Sequence, residues 1–321
     1  MQPRRSGSSG LSLSPVGLGT MTWGRDTDVH EARALLEAYL DAGGTLLDTA
    51  AGYGEGRAEA TIGELLGDVV ARRDVVLCSK AGVRTTRDGV RIDAGRGALL
   101  DDLDTTLARL RTDHLDLWLV QAPDPRTPAE ETVGALVHAV ATGRTRYVGL
   151  SNHPGWATAQ LATLARAAGV PLAGVEVEYS LLERGIEREV LPAADALGLG
   201  VLAWTALGRG VLTAKYRRVR PADSRAASAH LRAFVEPYLT ERAARVVEAV
   251  ATAASGLGRS PAQVALAWVR DAPGVTSALV GPRTAAQLAD VVDAADLVLP
   301  EEIRAVLDEV TAPPAGYPER R

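Results

Sequence analysis

Cysteine is almost missing from this chain: Cys78 stands alone among 321 residues. No intramolecular disulfide can form, and the five histidines have no zinc-like spacing to it or to one another. No metal centre is therefore expected, and a reducing, cytoplasmic setting is. Long apolar runs are lacking too. Met1-Gln-Pro-Arg-Arg-Ser6 carries two arginines without an apolar stretch behind them, and no uninterrupted run approaches the roughly 20 residues that span a bilayer, so neither export nor a membrane partner is expected. Nor does either sign of charge dominate. Thirty-five basic residues are scattered among 40 acidic ones for a net charge of −5, which leaves no basic stripe for nucleic acid. Lysine is scarce as well: Lys80 and Lys215 are the only two among those 35 cations. Where any cation would serve, the chain uses arginine, so a lysine at a defined position implies a need for a compact ammonium.

What is present is a regular alternation. Short apolar runs at Val16–Gly19, Thr45–Leu47, Val75–Ser79, Leu115–Val120, Arg146–Leu150, Gly174–Val177, Gly200–Ala203 and Thr276–Val280 read as strands. Helical periodicity separates them at 28–42, 58–66, 98–110, 128–143, 156–168 and 186–197, then at 240–255 and 261–269, with closing helices at 285–292 and 301–310. Leu11–Ser14 reads as a short strand plugging one end, residues 1–10 as flexible, and about 210–237 as an irregular stretch whose Phe234 and Tyr238 could belong to a lid. Eight strand–helix units without a change of pattern predict a single domain over 1–321, a closed (β/α)8 barrel of eight parallel strands, the TIM-barrel architecture. In such a barrel function lies just after the strands. No glycine-rich dinucleotide fingerprint of the open-sheet type follows any strand.

The strand ends carry a coherent set. Thr20, Met21 and Trp23 follow the first strand, Asp48 and Tyr53 the second, Lys80 the third and Gln121 the fourth; Ser151 and Asn152 follow the fifth, Glu176 and Tyr179 lie at the sixth, Trp204 and Thr205 follow the seventh and Arg283 the eighth. Taken singly, Asp48 could cap a helix with Tyr53 covering it, Ser151-Asn152 could be a cap, and Arg283 a solvated charge. Together they suggest chemistry. A phenol with a pKa near 10 is a poor acid at neutral pH, but an ammonium beside it favours phenolate and lowers that value. Lys80 can do this, and Asp48 can hold Lys80 charged.

Gly17-Leu-Gly-Thr-Met21, Asp48-Thr-Ala-x-x-Tyr-Gly-x-Gly56, Cys78-Ser-Lys80, Leu107-Ala-Arg-Leu110 with Asp116-Leu117, Gly149-Leu-Ser-Asn152, Glu178-Tyr-Ser-Leu-Leu182, Leu207-Gly-Arg-Gly210 and Gly281-x-Arg-Thr-x-x-Gln-Leu288 together make the chain resemble the aldo-keto reductase family from about Leu11 to about Val310. The resemblance implies a (β/α)8 barrel that binds NADPH across its C-terminal face and passes hydride to a small-molecule carbonyl. It makes Tyr53 the general acid, with Asp48 and Lys80 in support. At the fourth catalytic position the family usually has His, where this chain has Gln121; a Gln amide still donates to a carbonyl oxygen but cannot titrate. Family members that reduce activated C=C bonds, and channel-associated members used for binding, also depart from His here.

For the cofactor, the resemblance implies that Ser151, Asn152 and Glu176, the last in place of Gln, meet the nicotinamide carboxamide, and that Trp204 stacks on the ring. Thr20, Met21, Asp48 and Thr205 lie along the same path. Leu207, Gly208 and Gly210 match the pyrophosphate loop, while Arg283 and Gln287 match the adenosine-phosphate segment, where Arg283 favours NADPH over NADH. Trp23, Tyr53, Trp118 and Gln121 fall where the family lines its substrate pocket. Two alternatives stay open: an NADPH-binding sensor or scaffold with little turnover, and an enone or deoxysugar-pathway C=C reductase.

Overall fold

A computed structural model describes the chain except residues 87–88, 218–219, 222–223, 225, 229, 315 and 318–321. Its strands in chain order are β1 (Arg4–Arg5), β2 (Ser12–Leu13), β3 (Val16–Gly19), β4 (Leu46–Asp48), β5 (Val76–Ala81), β6 (Val83–Thr86), β7 (Gly89–Ile92), β8 (Leu115–Val120), β9 (Thr145–Ser151), β10 (Gly174–Glu178), β11 (Gly200–Trp204) and β12 (Val275–Val280). The helices are α1 (Val29–Asp41), α2 (Arg57–Leu65), α3 (Arg96–Leu110), α4 (Ala129–Ala141), α5 (Gly155–Ala167), α6 (Val190–Leu197), α7 (Arg232–Val235), α8 (Glu241–Leu257), α9 (Pro261–Arg270), α10 (Ala285–Val292) and α11 (Glu301–Thr311). Strands β3, β4, β5, β8, β9, β10, β11 and β12 close into a parallel barrel, β12 pairing back onto β3. This is the (β/α)8 architecture that the alternation predicts.

Local chemistry explains the boundaries. Asp28 caps α1 by accepting from the amides of His30 and Glu31, both at 2.9 Å. Ser260 and Gln263 form a reciprocal capping box on α9, with Pro261 in the first turn. Gly198 ends α6 at φ 69°, the left-handed backbone that a terminating residue adopts at least cost when it has no Cβ.

Side chains alternate across each strand, so every second residue faces the lumen and the others face the helices. Leu46, Cys78, Leu117, Leu119, Leu202 and Leu279 pack with Leu11 and Leu13 as one buried cluster inside the barrel. Leu47, Leu77, Trp118, Val148, Val175 and Val201 belong to the larger cluster between strands and helices.

Three differences from expectation have physical causes. Residues 1–10, expected to be loose, pack against the barrel: Arg4 and Arg5 pair antiparallel with Leu13 and Ser12, and buried Ser6 gives its hydroxyl hydrogen to Ala173 O at 2.9 Å. The β6–β7 hairpin has no counterpart in the sequence reading, because its alternation, Val90-Arg91-Ile92, spans only three residues and Val90 is exposed. The sixth helix begins at Val190 rather than 186, Gly185–Glu187 forming a separate 3-10 turn. Within the stretch expected to be irregular, about 210–237, the described residues include the short helix α7 and the start of a 3-10 turn at Glu236–Tyr238, while residues 218–219, 222–223, 225 and 229 lie outside the described residues. No described helix is long and apolar enough to cross a membrane.

Candidate functional site

Asp48 ends β4 and Lys80 lies near the end of β5, both facing the lumen one pleat above Leu46 and Cys78. Lys80 Nζ donates to Asp48 Oδ1 at 2.6 Å and to Thr49 O at 2.8 Å, and stands 3.2 Å from Glu176 Oε1. All three residues are at most 3% exposed. Burial would push the ammonium down, but Asp48 and Glu176 outweigh it and hold Lys80 charged well above its usual range. Asp48, Cys78 and Glu176 bring their ligand atoms within 4.8 Å of one another, but the cation among them is the ammonium itself. Burial also keeps the Cys78 thiol up, away from thiolate.

Tyr53 opens a 3-10 turn, Tyr53–Gly56, between β4 and α2. The turn runs through left-handed backbone at Gly54 (φ 57°) and Glu55 (φ 60°), a geometry that brings the ring back over the strand ends. Lys80 Nζ lies 5.2 Å from the ring centroid. Burial raises the Tyr53 phenol well above its ordinary value, Lys80 pulls it down, and Asp48 and Glu176 push it up again. The expectation of a net lowering is thus corrected: the ammonium acts in the expected direction, but desolvation exceeds it.

Behind this turn is a network that the sequence did not reveal. Glu59 on α2 is fully buried and accepts from Ser79 Oγ and Thr106 Oγ1, each at 2.8 Å, and from Arg109 Nη1 at 3.2 Å. Arg109 also donates to Ala51 O at 3.2 Å. A carboxylate on α2 and a guanidinium on α3 thereby fix the start of the Tyr53 segment. The only sequence signal was Arg109 in its Leu-Ala-Arg-Leu context.

A cleft of about 360 Å³ begins at Asp48 and Tyr53. Its wall carries Met21, Trp204, Thr205, Leu207, Gly210, Arg283 and Gln287 of the expected cofactor residues, together with Arg209, Lys215, Phe234 and Asp290. Thr20, Ser151, Glu176 and Gly208 are buried, and Thr20 Oγ1 donates to Asp48 O at 2.9 Å. Asn152, with φ 60°, is fully engaged: its Nδ2 donates to Gln121 O and Ser151 Oγ, and its Oδ1 accepts from Trp204 Nε1 at 3.0 Å. It therefore fixes the Trp204 indole on the cleft wall. Gln287 accepts from the Arg283 amide at 2.9 Å. Glu176 faces Lys80 through Oε1, with Oε2 buried and unpartnered.

The expected substrate wall also differs. Trp118 is in register with Ser79 and points outward into the strand–helix layer, because alternation gives the lumen to Leu117 and Leu119. Trp23 is fully buried as well. Gln121 follows Val120 at the top of β8 with its Oε1 buried and unpartnered.

The stretch after β11 is tied down by one residue the sequence had placed only near the phosphate loop. Arg209, at φ 57°, donates from Nη2 to both oxygens of Glu178 at 3.0 Å and from Nη1 to Phe234 O at 2.5 Å. Its guanidinium carbon lies 3.9 Å from the Phe234 ring centroid and 4.7 Å from that of Tyr238, whose hydroxyl donates to Glu178 at 2.8 Å. His230 Nε2 reaches Asp26 Oδ1 at 3.0 Å, joining the same stretch to the segment after β3.

The sequence profile described as the Aldo/keto reductase family matches residues 15–312. The chain is 35% identical to an uncharacterized oxidoreductase of Bacillus subtilis over 97% of its own length and 96% of that protein's. It is also 35% identical to a probable voltage-gated potassium channel subunit beta of Oryza sativa subsp. japonica, over 100% and 98% of the two chains. To an L-glyceraldehyde 3-phosphate reductase of Escherichia coli it is 34% identical, over 92% and 87%.

Proposed function

The chain belongs to the aldo/keto reductase family and is an oxidoreductase, and from that premise we propose that it reduces a small-molecule carbonyl with NADPH, Tyr53 giving the proton. The observation that carries this is the convergence of Asp48, Lys80 and Tyr53 at the head of the cleft.

The cleft suits such a cofactor by its own chemistry. Trp204 offers an indole face fixed by Asn152, and Arg283, Lys215 and Arg209 supply cationic wall toward the far end. Gly210, at φ 91°, lets backbone approach closely where a Cβ would come within 3.0 Å of Lys215 Nζ. When bound, the reduced nicotinamide supplies the hydride that adds to the carbonyl carbon. Tyr53 donates its phenolic proton to the oxygen as that bond forms, which balances the product as an alcohol. Lys80 stabilises the resulting phenolate, and Asp48 holds the ammonium charged and aimed. Gln121 can offer an amide N–H to the oxygen but no second titrating group. The buried Cys78 and the scattered charges agree with action in the cytoplasm on a small molecule rather than on nucleic acid or membrane.

The test is NADPH absorbance over a panel of reactive aldehydes and ketones. Tyr53→Phe should lose about 10²- to 10⁴-fold in turnover while NADPH still quenches tryptophan emission. Equal turnover in the two proteins would overturn the assignment. Gln121, together with a relative named as a channel subunit, favours a second reading as an NADPH-binding sensor; tight binding with no turnover on any carbonyl would select it. Faster reduction of an enone than of its saturated ketone would instead point to C=C chemistry.

A further inference from the structure

Lys80 is approached from two other strands and one turn. Asp48 comes from β4, Glu176 from β10, and Tyr53 from the turn after β4, while Cys78 lies below on the same strand as Lys80. The turn's own charges, Glu55 and Arg57, are exposed and pair with each other at 3.4 Å. An ammonium has three hydrogens. Two go to Asp48 Oδ1 and Thr49 O, and Glu176 Oε1 at 3.2 Å stands in line for the third.

The charge count sharpens the problem. Two carboxyls share one ammonium in a pocket where Asp48, Lys80 and Glu176 are all at least 97% buried, and Glu176 Oε2 has no partner there. With both ionised, the cluster would hold one uncompensated negative charge, which a dry site disfavours strongly. A phenolate at Tyr53 would add another.

We propose that Glu176 is a positioning residue that competes with Tyr53 for the Lys80 ammonium and so keeps the phenol in its proton-bearing form. The inference rests on the reading of Tyr53 as proton donor, and it gives Glu176 a task other than contact with the cofactor. Its hold on Lys80 withdraws the hydrogen that a phenolate would take, and in the alkaline range where Tyr53 titrates the Glu176 carboxyl, ionised there, opposes phenolate by its charge. The directions agree: burial and Asp48 raise the Glu176 carboxyl well above its usual range against the pull of Lys80, and Glu176 in turn raises Tyr53. Replacing the carboxyl by an amide removes the opposing charge, so phenolate should form at lower pH.

The experiment is a tyrosine titration of the full-length, ligand-free protein by ultraviolet difference absorbance, with the Tyr53 step isolated by subtracting the matching Tyr53→Phe titration. In the wild type the step should lie above that of ordinary tyrosines, and Glu176→Gln should lower it by about one pH unit or more. Glu176→Asp, which keeps the charge, should recover part of the difference. Glu176→Met, should the amide perturb folding, predicts the same direction as Glu176→Gln. Leu117→Ala, which loosens the lumen one pleat below Lys80 without touching charge, should leave the step in place. In turnover, the alkaline limb of kcat/KM should move to lower pH in Glu176→Gln by the same interval. A Tyr53 step that stays put, rises, or fails to appear in Glu176→Gln overturns the proposal. Because the titration needs neither cofactor nor substrate, its outcome is separate from that of the NADPH assay.

Discussion

The lower and upper layers of the barrel lumen are built on the same strands one pleat apart, yet they hold opposite chemistries. On β4 the step is from Leu46 to Asp48, on β5 from Cys78 to Lys80, on β10 from Gly174 to Glu176, and on β11 from Leu202 to Trp204. Below, leucines from β8, β11 and β12 interlock with Leu11 and Leu13. Above, charged groups are buried as deeply but are held by hydrogen bonds instead of close packing. The difference teaches that burial alone does not distinguish core from site. What does is whether the buried group would be satisfied by hydrocarbon neighbours or needs a specific partner.

Substitutions in the two layers should separate stability from activity. Lys80→Met breaks the upper layer most severely, since it leaves the Asp48 carboxylate in a dry pocket without its cation. Denaturant unfolding should show a loss of about 3–5 kcal/mol, and the folded fraction should show turnover reduced at least as far as in Tyr53→Phe. If Lys80→Met kept its stability, the upper layer would be behaving like ordinary core. In the lower layer, Leu117→Ala, beside Cys78, deletes methyl groups that nothing refills, at about 2–5 kcal/mol. Its turnover per folded molecule should stay near wild type when assayed well below the melting temperature. A comparable loss of activity in Leu117→Ala would mean that the two layers are not functionally distinct.

Much of this division can be read along the chain, and the failures are instructive. Thr45–Leu47 breaking at Asp48 shows the change from packing to chemistry on one strand, and the scarcity of lysine singles out Lys80 before any coordinates exist. The eightfold alternation suffices for the closed barrel, because short apolar strands and amphipathic helices have few other ways to bury both faces. Facing is harder. Trp118 carries no mark of pointing outward until the register with Ser79 is known, and Glu176 could not be seen to reach Lys80, since 96 residues separate them and only barrel closure brings β10 near β5. The phenol's shift escapes the sequence for a different reason: residues show the charge beside Tyr53 but not the desolvation that opposes it. The β6–β7 hairpin is hard to read because its alternation, Val90-Arg91-Ile92, is too short to mark a strand.

The smallest effect belongs to neither layer but to the rim above both. Arg209 joins Glu178 at the end of β10 to Phe234 and Tyr238 in the stretch after β11, and Phe234 lies on the cleft wall. The contact is planar and two-pronged, with the guanidinium stacked on aromatic faces, a geometry that lysine cannot reproduce. It is also partly solvated, Arg209 and Glu178 retaining 14% and 20% of their side-chain exposure, so its worth should be nearer that of an interface contact than of the buried Asp48–Lys80 pair. Arg209→Ala should therefore cost about 1–1.5 kcal/mol in holding that stretch over the cleft, read as NADPH release about tenfold faster in stopped-flow fluorescence. Arg209→Lys should fall closer to Ala than to the wild type, because the charge survives but the fork does not. Release as slow as wild type in Arg209→Ala would show that cofactor retention depends on the strand ends alone, and would extend the authority of the upper layer to the rim.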